Sequence, residues 1–273
     1  MDHGGHSSGV PALGWVAAAI ALVVVGVYLV ASVRLRRRGD GWSRWRDACC
    51  AAAGAALVVA ALVPLPGGEF TAHMLRHLII GMAAPLLLVL SRPLTLGLRA
   101  LPPGPARHAV LAVAHSSAAA WLVFPPLAAA ADVGGLWLLY RTRLFAVSHD
   151  RPGLQALVHV HVLVAGILFT AAVCQLDPVR RRHGLAVRAG TLVAACAAHA
   201  VLARTLWATA PPRTRLPAGD LHYGAMVMYY GGDLIEVALA AVVALRWYAA
   251  AGRTRSSRCA PAATRVVGSR DPA

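Results

Sequence analysis

Residues 12–33 of this 273-residue chain read ALGWVAAAIALVVVGVYLVASV, and RLRRR follows directly at 34–38. A helix needs about 20 consecutive apolar residues to cross the hydrocarbon core of a bilayer, so this stretch is long enough to span a membrane. No Lys or Arg precedes it, and four Arg follow it. A cleaved signal peptide carries its positive charge first, so the order predicts an uncleaved helix whose N-terminus lies outside.

Six further apolar stretches have the length of a membrane span. The whole chain is 58% hydrophobic and only 14% charged, which excludes an ordinary soluble domain. We therefore predict an all-α, polytopic transmembrane bundle of about seven spans within residues 12–248, between an external polar tail at 1–11 and a disordered cytoplasmic tail at 249–273. The later spans are expected at 48–65, 70–90, 108–131, 153–176, 185–207 and 222–245, with an outer surface helix after the fourth that runs through Trp137 and Tyr140 to Phe145.

The charged residues support one orientation. All 26 basic residues are Arg, and with the N-terminus outside and the C-terminus inside, 19 of them lie on the inner side and six on the outer side. This bias agrees with the positive-inside rule. The net charge of +15 is therefore explained by topology next to a lipid bilayer, and nucleic acid is not an expected partner.

Ionisable side chains inside spans are costly, so each needs a partner or a purpose. The third span begins with His73-Met74-Leu75-Arg76-His77, and residues four apart on a helix share a face, so the imidazoles of His73 and His77 form a two-ligand clamp. Arg76 lies near the same face, where it could neutralise a carboxylate. Met74 could add a soft thioether for Cu(I).

Three other spans carry polar residues at a similar depth. His161 and His199 lie with His77 about 12 Å from the outer end of their helices, taking 1.5 Å per residue, and Asp233 lies slightly deeper. Imidazoles and a carboxylate from four helices at one level predict a cation site in the bundle core, although histidines satisfied by packing are the alternative. His159 is two residues from His161 and so faces away from it.

Other candidates are weaker. Met1-Asp2-His3 offers an amine, two amides and an imidazole, the square-planar nitrogen set that suits Cu(II), but a plain polar tail is the simpler interpretation. The five cysteines form no paired motif and favour packing. His149, Asp150, Asp220 and His222 lie near the outer surface, where they are either an outer shell for a metal or merely solvated. No nucleophile has a neighbouring base, which argues against an enzyme.

These residues also carry a family resemblance. The stretches that match are HMLRHLIIGMAAPLLLVL at 73–90, HVLVAGILF at 161–169, LDP at 176–178, His199 and YYGGD at 229–233. In them the chain resembles the CtaG-like, caa3-type cytochrome c oxidase assembly factors, multi-pass proteins of the bacterial inner membrane. The resemblance implies a functional set of His73, His77, His161, His199 and Asp233, and it prefers His161 to His159.

Three functions follow from these residues and this resemblance. The first is a non-enzymatic assembly factor that binds copper near the outer face and supports metallation of the oxidase, with the subunit that carries the copper centre as its partner. The second is a copper transporter, which would need a polar route through the inner half of the membrane. The third is a membrane haem protein, because histidines on different helices at one depth can serve as axial ligands.

Overall fold

The computed structural model describes residues 12–178 and 180–258, of which 252–258 by their backbone alone, and the regular structure in these ranges is entirely helical. The predicted all-α class is confirmed. The helices are α1 Ala12–Arg37, α2 Arg44–Leu62, α3 Glu69–His77, α4 Ala84–Ser91, α5 Pro93–Ala100, α6 Pro105–Ala114, α7 Ser117–Leu122, α8 Pro125–Arg141, α9 Leu144–Asp150, α10 Pro152–Cys174, α11 Leu185–Ala208 and α12 Ala218–Arg258, with a π-helix Leu78–Ala83 between α3 and α4.

Six helical runs in the described residues are long and apolar enough to cross a membrane. Three are α1, α2 and the continuous run Glu69–Ala100, and the other three are α10, α11 and Ala218–Ala251 of α12. These segments agree with six of the seven predicted spans. The polytopic bundle is therefore supported by length and composition, while the number of crossings and their orientation stay predictions.

The fourth predicted span, 108–131, has the wrong bounds. Those residues form two short helices, α6 and α7, without a buried side chain, and only the start of α8. The predicted outer surface helix is also wrong, because α8 packs against α10 and α11 and buries Leu136, Leu139 and Tyr140. The reason is Pro125-Pro126: proline at the first position of a helix lacks only an N–H that would be unpaired anyway, so the pair starts a helix here.

The Arg-rich connections meet at one end of the bundle. Arg99 Nη2 donates to Asp40 Oδ1 at 3.1 Å, which joins α5 to the α1–α2 loop. The backbone N–H of Thr95 donates to Asp177 Oδ1 at 2.9 Å, which joins α5 to the segment after α10. The chain must therefore return to the opposite end between α5 and α9. Helix α8 makes that return, and its 17 residues are about 26 Å long.

The opposite end is fastened by Asp220 in the first turn of α12. Its carboxylate accepts hydrogen bonds from the backbone N–H groups of Phe70 and Thr71, at 2.8 and 3.0 Å. These amides belong to the first turn of α3 and have no partner within their own helix. Asp220 therefore caps α3 from another helix and fixes the register of α3 against α12.

A π-helix lies where the sequence predicts a kink at Pro85. Proline has no N–H to donate to the carbonyl of the residue four positions earlier, which here is Gly81. That carbonyl instead faces α10, because a Cβ placed on Gly166 would overlap the Gly81 oxygen. The irregularity thus precedes Pro85 and lets α10 approach the third span closely.

Besides a cluster around Leu35 and Leu96 that joins α1, α2 and α5, two apolar clusters fill the bundle on either side of this irregularity. One surrounds Phe70, Tyr140 and Met228 near the Asp220 end, and the other surrounds Phe169 and Val173 near the Arg-rich end. The predicted tail at 1–11 lies outside the described residues. Helix α12 continues to Arg258, so the first part of the predicted tail at 249–273 is helical and the rest is outside the described residues.

Candidate functional site

Two buried histidines face a small cavity between the two apolar clusters. His77 ends α3 and is 7% exposed, and His199 on α11 is 3% exposed. Their ring centres are 6.1 Å apart. Both side chains line a cavity of about 30 Å³, which is enough for one water molecule or one ion. We call His77 and His199 the buried pair.

The protein around the buried pair leaves most of its ring nitrogens without a hydrogen bond. Among the described residues, neither ring nitrogen of His77 has a hydrogen-bond partner, and neither does Nε2 of His199. Nδ1 of His199 lies 3.1 Å from Oε1 of Glu236 on α12, an ion-pair distance without the angle of a hydrogen bond. Buried polar atoms are nearly always paired, so three unpaired imidazole nitrogens in one place need an explanation.

Acidic and soft side chains complete the wall of the cavity. Asp132 from α8 and Glu236 from α12 supply carboxylates, and Cys196 from α11 and Met82 from the π-helix supply sulfur. The Cys196 thiol interacts with the Glu236 carboxylate. The cavity is therefore lined by nitrogen, oxygen and sulfur atoms in a mainly apolar bundle.

Local backbone features bring these side chains together. Gly232 on α12 faces His199, and a Cβ at this position would overlap the imidazole. The absence of a side chain at Gly232 therefore lets the His199 ring lie against α12 beside Glu236. On the other side the π-helix begins directly after His77, and π-helical turns are frequent at functional sites.

A second group of polar residues lies one helical turn above the buried pair, toward the Asp220 end. His73 is buried, and its Nε2 is 3.0 Å from the Tyr140 hydroxyl. Its ring centre is 5.8 Å from that of His149, whose Nε2 is 3.3 Å from Oε1 of Glu69. We call Glu69, His73 and His149 the outer cluster.

The structure brings together only part of the residue set predicted from the sequence. His161 is exposed, and its Nε2 lies 3.2 Å from the Ala131 carbonyl oxygen, away from the buried pair. Asp233 is half-buried but does not line the cavity, and Met74 packs in the apolar core. Arg76 donates from Nε to the Ala60 carbonyl at 3.0 Å and so faces α2.

Other residues near the buried pair were missed by the sequence prediction. The half-buried His159 is close enough to interact electrostatically with both His73 and His77, so the helix turns this histidine inward rather than His161. Asp132 and Glu236 carried a usable signal, because both are acids within long apolar stretches. Asp132 lies one residue beyond the expected end of the fourth span at 131. Because that boundary was wrong, Asp132 was not recognised as a residue inside a span.

The buried pair leaves room for a single ion. Imidazole binds Cu, Zn, Fe and Ni, and the 6.1 Å between ring centres leaves room for an ion bonded to both rings, since metal–nitrogen bonds are about 2 Å long. Within the described residues, no group of three or more His, Cys, Asp and Glu has the geometry to hold a metal ion as the side chains stand. A metal ion at this position would therefore take two ligands from His77 and His199, and a third would have to turn toward the cavity.

Several known bacterial proteins are similar to this chain. An uncharacterized protein of Mycobacterium leprae is 32% identical over 189 residues, which cover 65% of this chain and 28% of that protein. Uncharacterized proteins of Mycobacterium bovis and Mycobacterium tuberculosis are each 28% identical over 253 residues, which cover 85% of this chain and 38% of theirs. The chain thus spans well under half the length of these relatives.

No solved structure matches the chain. The profile of one protein family, described as cytochrome c oxidase caa3 assembly factor, matches residues 26–250. This match covers every element that builds the buried pair and the outer cluster. The chain belongs to the caa3-type cytochrome c oxidase assembly factor family.

Proposed function

We propose that this protein assists assembly of cytochrome c oxidase by holding a copper ion between His77 and His199, in the outer half of the bacterial inner membrane. Copper is the cargo of this site rather than a permanent cofactor. The observation that supports the proposal most is the buried pair itself, two imidazoles that face one cavity with three ring nitrogens unpaired among the described residues.

The energetic cost of the buried pair argues for a ligand. A buried polar group without a hydrogen bond destabilises a protein by about 1–3 kcal/mol, and the penalty is larger where water is scarce. Apolar side chains would fill the same space without this cost. A metal ion would bond to one nitrogen of each ring and remove much of this penalty, so a binding role accounts for the presence of both histidines.

The cavity wall favours copper among the metals that bind imidazole. Soft sulfur ligands select Cu(I), and both Cys196 and Met82 line the cavity. Glu236 is close to His199 and would orient its ring and raise its basicity, as carboxylates behind metal-bound histidines do. Asp132 would balance the positive charge. A cavity of about 30 Å³ is far too small for a porphyrin, which weighs against the haem alternative.

The family supplies the process in which the ion would be used. An assembly factor of cytochrome c oxidase acts on the oxidase, and the subunit that carries the copper centre is the recipient we propose. A site that exposes its ion only after a side chain turns would protect copper until this partner docks. Under this proposal the chain performs no catalysis, because transfer is an exchange of ligands.

Copper retention tests the proposal directly. We expect the full chain, purified in detergent after growth with copper, to retain about one copper ion per molecule, and the double variant His77→Ala with His199→Ala to retain none. His222→Ala is the matched control, since His222 stacks on Trp207 at the outer end and lies outside the cavity. Copper retained in full by the double variant would show that the ion is held elsewhere.

A second variant separates the structural site from the residue set implied by the family resemblance. His161→Ala removes an exposed imidazole, so we expect copper retention to be unchanged. Loss of copper in His161→Ala as well as in the double variant would instead support the set implied by the resemblance, which contains all three histidines. Both variants should be checked for wild-type thermal stability, so that misfolding is not mistaken for loss of a ligand.

A further inference from the structure

We infer that the outer cluster is an uptake path that takes a Cu(I) ion from the outer surface and passes it to the buried pair. This inference rests on the proposed function, because it requires a copper ion at His77 and His199. It adds a second, transient cation site and assigns its ligands. They are Glu69, His149 and His73, with His159 as the link to His77.

The exposed fraction of the side chain falls from Glu69 through His149 to His73. The Glu69 side chain is 70% exposed and the His149 side chain 27%, and the two are 3.3 Å apart. His73, which is 8% exposed, comes next. A carboxylate at the surface and imidazoles below it give a charged, hydrated ion a gradual exchange of water for protein ligands, instead of one costly step into the bundle.

Neighbouring members are close enough for an ion to move between them. The ring centres of His149 and His73 are 5.8 Å apart, and those of His77 and His199 are 6.1 Å apart. His73 and His77 are four residues apart on one helical run, so they lie on the same face about 5–6 Å from each other at Cβ. Each step is thus similar in length to the separation within the buried pair.

His159 accompanies the step from His73 to His77. It lies on α10 and interacts electrostatically with both imidazoles. Arg76 also interacts with His159, but its guanidinium is held toward α2 by the Ala60 carbonyl. The path therefore has α10 on one side, and below His77 the packing of Gly166 against Gly81 brings α10 against the π-helix that follows α3.

Aromatic side chains restrict the movement of the outer imidazoles. The Phe145 ring lies beside both, with its centre 4.9 Å from that of His73 and 4.7 Å from that of His149. The Tyr140 hydroxyl is hydrogen-bonded to Nε2 of His73. Such a neutral partner is easily exchanged for a metal ion, so His73 suits brief binding rather than storage.

Loading kinetics test this inference. The full chain in lipid nanodiscs is mixed with Cu(I) bound to a chromophoric chelator, and the loss of the chelate colour gives both the rate and the final stoichiometry. We expect Glu69→Gln and His149→Ala to slow loading about tenfold, the scale on which residues behind a metal site act. The final stoichiometry should remain that of wild type, and His222→Ala should load at the wild-type rate.

The outcomes separate the two proposals. If wild-type protein takes up no Cu(I), the proposed function fails, and the inference fails with it. If wild-type protein loads but Glu69→Gln and His149→Ala load equally fast, the proposed function stands and the uptake path is wrong. If either variant loses stoichiometric binding, the outer cluster is part of the storage site, which also overturns the inference. Glu69 is exposed, so its variant is expected to fold normally.

Discussion

A single methyl group at Gly232 should displace the imidazole of His199, one of the two proposed copper ligands. In the variant Gly232→Ala, the new Cβ would overlap Cε1 of His199 and lie 2.9 Å from its Nδ1. The ring would have to move by about 1 Å to restore ordinary van der Waals contact. His199 is almost fully buried, so this movement pushes the ring into packed neighbours and away from Glu236.

The expected loss follows from the cost of overpacking. Forcing an extra carbon into a packed interior costs about 1–3 kcal/mol. If this cost falls on the copper-bound geometry, the affinity for Cu(I) should drop by about 5-fold to 150-fold, since about 1.4 kcal/mol corresponds to a factor of ten. The helix itself should not suffer, because alanine is a better helix former than glycine by about 1 kcal/mol.

Competition with a chromophoric Cu(I) chelator measures this affinity, and thermal unfolding in detergent monitors the fold. Gly190→Ala is the matched control, because a Cβ on Gly190 of α11 meets nothing within 4 Å. We expect the control to bind copper like wild type. Wild-type affinity in Gly232→Ala would refute the argument that His199 binds copper in the position described.

Three further variants test the fold and the cavity wall. Gly166→Ala should lower the free energy of unfolding by about 1–3 kcal/mol, because the new Cβ would meet the Gly81 carbonyl oxygen. Gly134→Ala has open space around its Cβ and should leave the free energy of unfolding unchanged; thermal melts compare the two variants. Asp220→Ala removes the cap of α3 and should lower the free energy of unfolding by about 1–2 kcal/mol in the same assay. An unchanged melt would show that the cap is dispensable. Glu236→Gln should weaken copper binding about 10-fold to 100-fold at unchanged stoichiometry, because it no longer supports His199; equal affinity would exclude that role.

Much of the fold could be predicted from the sequence, because a membrane span is recognised by its long run of apolar residues. Six apolar stretches became six helices, since a backbone inside lipid has to satisfy its own hydrogen bonds. The fourth span was given the wrong bounds because the apolar stretch continues from 108 to 140, longer than one span, and composition does not reveal which part lies inside the membrane. Pro125-Pro126 marks a helix boundary, but proline both ends one helix and begins the next.

The site was harder to predict than the fold, because its members depend on helix rotation. His77 and His199 were identified by depth, and they do meet. Depth does not fix the direction of a side chain, and the family resemblance preferred His161 to His159, although α10 turns His159 inward. Glu236 was passed over because its partner His199 comes from another helix, and the close approach at Gly232 that joins them is a tertiary feature.

X-ray absorption at the copper edge of the loaded full chain tests the central claim most directly. The account predicts that the ion in wild-type protein is bound by two imidazole nitrogens, which show characteristic outer-shell scattering from the ring, and that this scattering is weakened in His199→Ala. A spectrum without imidazole scattering, or one that His199→Ala leaves unchanged, would contradict the proposal that His77 and His199 hold the copper ion.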